Sequence, residues 1–111
     1  MQLFIIVLTE RQYVPTILKK FAENNFHGSV LATRSIRHAL MDSIEPEPYF
    51  GGLNKIVNDV EEIARPMIFV VVKQDEDVKT LSKLANEAVD GIKNKGFMYS
   101  LPITYLEGLD D

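Results

Sequence analysis

A chain of 111 residues, 46% of them hydrophobic and 25% charged, has the composition of one folded domain with a real core. Its 12 Lys and Arg against 16 Asp and Glu leave a formal charge of −4, which supplies no overall attraction toward nucleic acid or an acidic membrane. With no cysteine, disulfides, thiolate catalysis and thiolate zinc sites are excluded.

The chain opens on Leu3–Leu8, LFIIVL, a continuous branched apolar run that predicts a central strand buried on both faces. Val14, Ile17, Leu18, Phe21 and Ala22 then recur at helical spacing, and Pro15 fits only the first turn, so a helix is expected from about Val14. ENNFHG closes it: Asn24, Asn25 and Gly28 suit a helix end, and Phe26 can fold back onto the core. A second strand is expected over Ser29–Ile36.

From His38 to Gly52, Pro46, Pro48, Gly51 and Gly52 lie among several acids, which reads as a long loop. Leu53, Ile56, Val57, Val60, Ile63 and Ala64 share one helical face, predicting a short helix that Pro66 ends. MIFVVV, residues 67–72, is a third strand of the same buried character as the first, and it is far shorter than the roughly 20 residues of a membrane helix. Asp75–Asp77 favour the positive end of the next helix, along which Val78, Leu81, Leu84, Ala85, Ala88, Val89 and Ile92 keep helical spacing. Phe97–Leu106 is strand-like, with Pro102 calling for an edge position or a bend. The order predicts an α+β, ferredoxin-like βαββαβ sandwich, a single domain over 1–111 with an extra short helix between strands 2 and 3.

Two stretches carry a resemblance: ILKKFAENNFHGSVLAT, with Phe26 and Gly28 leading into strand 2, and IFVVVKQDEDVKTLSKLANEAVDGIKNKG, a strand, an acidic helix start, an apolar helix and a glycine-lysine loop. Together with the first strand they resemble the PII nitrogen-regulatory signal-transduction proteins over most of the chain outside residues 37–65. The resemblance implies a homotrimer that binds an adenine nucleotide (ATP, ADP or AMP) as an effector in clefts between subunits; the short apolar runs and an N-terminus without a basic region followed by a long apolar one lead to the expectation of a cytoplasmic protein. The resemblance also implies that residues 37–65 stand where the family has its partner-binding loop, directed at a transporter or enzyme, and that Asp90–Gly96 stands where the family binds phosphate.

The candidate ligand-binding residues are Lys93, Lys95, Arg34 and Arg37 for charge, with Gly91, Gly96 and the backbone near Leu8 and Thr9 shaping the cleft. The competing reading of DGIKNKG is a helix end, with Gly91 or Gly96 left-handed and the lysines complementing the negative pole. Arg34 and Arg37, three apart, are expected on opposite faces of an extended strand. Tyr49 and Phe50, aromatics beside two glycines, are candidate partner anchors or simply pack the loop down.

His27 and His38 are the only histidines, and His38 with Asp42, Glu45 and Glu47 has none of the spacings of a zinc motif, so no metal is expected. Lacking a nucleophile or phosphate-loop motif, the chain reads as a non-enzyme. The alternative to PII-like signalling is a ferredoxin-like oligomeric protein-interaction module without nucleotide sensing, which the absence of arginine from FMYSLPITYLEGL favours; a small enzyme using the same cleft is a third reading.

Overall fold

The computed structural model of the protein describes residues 1–37, 40 and 65–109. Strand β1 (Gln2–Leu8) leads through a 3₁₀ turn (Arg11–Tyr13) into helix α1 (Val14–Glu23), and β2 (Ser29–Thr33) follows. After residues 34–64 come β3 (Arg65–Val72), helix α2 (Asp75–Val89) and β4 (Gly96–Pro102). The strands form one antiparallel sheet in the order β2-β3-β1-β4, so β1 is central as its apolar run requires.

Alternation along the strands decides what each face does. Phe4, Ile6 and Leu8 of β1 and Ile68, Val70 and Val72 of β3 point to one side, where Ile17 and Phe21 of α1 and Leu81, Ala85 and Val89 of α2 meet them in a single core. Each such large side chain contributes roughly 1.5–3 kcal/mol on burial. Phe21 is the hinge of an aromatic row, edge-on to Phe4 and to Phe26 with ring centroids 6.5 Å apart in both pairs. Phe26 does fold back, held by its N–H to the Phe21 carbonyl at 2.9 Å. The helices are joined on their outer side by Lys20 and Glu87, 3.4 Å apart.

Helix α1 begins where Pro15 requires, with Pro15 in its first turn, and ends as Asn25 turns left-handed at φ 64°. Helix α2 carries Asp75, Glu76 and Asp77 in its first turn, complementing the exposed N–H groups there. Pro102 closes β4 at the sheet edge, where its missing N–H costs no ladder bond to a further strand.

Several expected boundaries move. Strand β2 ends at Thr33, and Ile36 and Arg37 already have helical backbone, so the alternation that put Arg34 and Arg37 on opposite strand faces does not apply. Helix α2 stops at Val89, because Asp90 turns left-handed at φ 57°; Ile92 packs under the core from the loop instead. Strand β4 is Gly96–Pro102 rather than reaching Leu106. Burial on both faces of β1 and β3 also fails. Opposite the helices, Ile5 is buried, at 6% exposure, while Leu3, Val7, Met67, Phe69 and Val71 are half-buried. The long loop and the helix expected over Leu53–Ala64 lie outside the described residues.

Candidate functional site

At one end of the sheet β1 and β2 finish while β3 and β4 begin, an arrangement that antiparallel pairing enforces. Here DGIKNKG meets the end of β1. Both the N–H and the Oγ of Thr9 donate to the Lys95 carbonyl, at 2.9 and 3.0 Å. Gly96 then runs so close to β1 that a Cβ on it would lie 2.2 Å from the Val7 carbonyl oxygen.

The loop itself is first of all a helix end. The N–H of Gly91 (φ 94°) donates to the Asn86 carbonyl at 2.8 Å, and the N–H of Ile92 to Asn86 Oδ1 at 2.9 Å. The Lys95 ammonium turns back onto the carbonyls of Val89 and Asp90, complementing the negative pole of α2. The left-handed residues are Asp90, Gly91 and Asn94, while Gly96 is the first residue of β4. Lys93 is exposed.

Beside this junction lies a depression of about 180 Å³, lined by Val7, Leu8, Thr9, Arg65, Asn94, Gly96 and Phe97. It unites Leu8, Thr9 and Gly96 from the predicted set. Lys93, Lys95, Gly91, Arg34 and Arg37 do not line it. Leu8 is fully buried, so it offers backbone and wall rather than an accessible side chain. Among the described residues the cation lining the depression is Arg65, which is not one of the candidates that the sequence offers. Its signal was positional: the first residue of β3, paired with Thr33 and joined to it by a 2.8 Å bond from Thr33 Oγ1 to the Arg65 carbonyl, must stand at the end of β1. A guanidinium and an amide beside an apolar wall suit a small anion attached to an apolar or aromatic body, while the Thr9 hydroxyl, its one proton given to the Lys95 carbonyl, fixes the wall.

The depression lies at the margin of the sheet face opposite α1 and α2, which no helix among the described residues covers. Register places Val7 between Met67 and Phe97, Ile5 between Phe69 and Tyr99, and Leu3 between Val71 and Leu101, three consecutive rows without a charge. Leu31 (51%), Phe97 (54%), Tyr99 (42%) and Leu101 (47%) are the exposed large apolar side chains of this face, and the rings of Phe97 and Tyr99 stack at 6.1 Å. No helix among the described residues is long and apolar enough to cross a membrane, and no three His, Asp or Glu among them come together as metal ligands. His38, Asp42, Glu45, Glu47, Tyr49 and Phe50 lie outside the described residues.

No protein-family model and no curated protein matches the chain. Among solved structures it is similar to the crystal structure of a functionally unknown protein from Pediococcus pentosaceus, with a TM-score of 0.60, 9% sequence identity and 97% of each chain covered. At that identity the likeness concerns the fold alone.

Proposed function

We propose that this chain is a cytoplasmic, non-enzymatic PII-like regulatory protein of ferredoxin-like βαββαβ topology. It assembles as a homotrimer, takes a small anionic effector such as ATP, ADP or AMP into clefts between subunits, and passes occupancy to a transporter or enzyme through residues 37–65. The observation that carries the reading is the convergence of Thr9, Gly96 and Arg65 at the rim of the apolar sheet face opposite α1 and α2. Three charge-free rows exposing Leu31, Phe97, Tyr99 and Leu101 favour burial against another copy, and that burial would turn an open depression into a walled cleft. For signalling, the effector must bind one arrangement of the 37–65 segment better than another.

Thermal unfolding of the purified protein against ATP, ADP and AMP tests this. A ligand at about 100 times its dissociation constant adds roughly 2.7 kcal/mol of stability. The expected result is a saturable rise with one adenine nucleotide that Arg65→Glu abolishes while the oligomer persists. No rise with any of the three would reject nucleotide sensing.

A second reading, an oligomeric interaction module without sensing, is favoured by one observation: the Lys95 ammonium is engaged by the end of α2 rather than by the depression. Under it, Arg65→Glu alters no binding activity.

A further inference from the structure

Away from the depression, along the outer edge of β2, runs a groove of about 310 Å³ between the start of α1 and the strand. Val14, Pro15, Val30, Ala32 and Pro66 make it almost wholly apolar, and Arg11 brings the one charge. Among the described residues β2 pairs only with β3, so its other side is an open strand edge, and Val30 is 47% exposed above the groove. An edge of this kind is a template for an added strand.

The matching piece lies at the far end of the same chain. Beyond the bond from the Ile103 N–H to the Met1 carbonyl, residues 104–109 continue without helix or strand. Tyr105 is 75% exposed, with Leu106 and Leu109 also outward. Glu107 is the charge of this segment and holds the Tyr105 hydroxyl at 2.5 Å. An apolar groove with an arginine thus faces a counterpart that is apolar and carries a carboxylate. The segment does not serve its own groove: it leaves where β1 begins, with Leu109 beside His27 and Lys73, whereas the groove lies where β1 ends, roughly 20 Å away along the strand.

We propose that the groove beside β2 receives residues 104–109 of a second copy as an added strand. Tyr105 fills the groove, Glu107 on the same side pairs with Arg11, and Leu106 on the other side lies against Leu31. The contact is head-to-tail, so repeated operation either closes a ring or extends a filament. It does not depend on any ligand at the Arg65 depression.

The test uses the full chain with Tyr105 replaced by the photo-reactive p-benzoylphenylalanine, mixed with isotope-labelled protein and mapped by mass spectrometry. The expected crosslinks join different copies, at Val14–Pro15 or at Val30–Ala32. Arg11→Glu should lower their yield by about threefold, the scale of an exposed ion pair, and added Glu107→Arg should restore it. Crosslinks within one chain, crosslinks to the apolar sheet face of another copy, or none at any concentration would each overturn the proposal. Since position 105 is exposed, the probe leaves the core intact, and a thermal melt checks that it does.

Discussion

Gly96 sits directly opposite Leu8 across the β1–β4 ladder, with room for a hydrogen and no more: a Cβ there would fall 2.2 Å from the Val7 carbonyl oxygen and 3.0 Å from the Leu8 Cα. Since those atoms are backbone of the central strand, they cannot swing aside. Gly96→Ala is expected to cost about 1–3 kcal/mol, the scale of overpacking, read as a lower midpoint in urea with little change of slope.

The two lysines of the same loop should separate cleanly. Lys95→Met removes an ammonium from the carbonyls closing α2 and should destabilise by about 0.3–1 kcal/mol, whereas Lys93→Met, on an exposed side chain, should stay within about 0.5 kcal/mol of the parent. Urea unfolding of both proteins under identical salt decides it. Equal losses would mean that the helix-end contact contributes nothing specific.

If the apolar sheet face opposite α1 and α2 joins copies, placing charges in it will separate them. Phe97→Asp with Leu101→Asp alters side chains that are about half exposed, so the fold of one copy should persist. Sedimentation velocity should then move from the parent oligomer toward the 12.6 kDa chain, with only the contact at the β2 edge left to join copies. An unchanged sedimentation coefficient would remove this face from the assembly.

Tyr105 offers a spectroscopic handle. Its hydroxyl donates to Glu107, and ionisation would set two negative charges together, so its pKa stands above the ordinary phenol value, with slight desolvation adding to the rise. Any stability from this pair is fully present below the unfolded-state phenol pKa of about 10 and is lost as pH rises through the folded value. In a tyrosine-labelled NMR titration, Glu107→Gln should bring the Tyr105 midpoint down; an unmoved midpoint would mean the bond is not formed in solution.

Period and punctuation carried most of the architecture. The stripes Val14-Ile17-Leu18-Phe21 and Leu81-Ala85-Val89, the proline at the head of α1 and the acids at the head of α2 are local signals, and the structure uses each where it falls. Less legible was which strand faces are covered. LFIIVL and MIFVVV look the same whether their second face meets a helix, another subunit or water. The site was legible in part for a similar reason. Leu8, Thr9 and Gly96 were marked by a loop and a strand end, but Arg65 reaches them only through pairing between strands far apart in sequence, and the orientation of Lys95 depends on where α2 stops. The resemblance to PII proteins pointed to DGIKNKG, Arg34 and Arg37, whereas the cation lining the depression among the described residues is Arg65.

Thr33 and Arg65 form the final rung of the β2–β3 ladder, tied again by the threonine hydroxyl. The chain therefore leaves the sheet and returns to it through this one rung, and Arg65 is a shared bearing, belonging at once to that rung and to the depression beside Thr9. A charge bound beside Arg65 would act on the same backbone that sets the register of the two strands there.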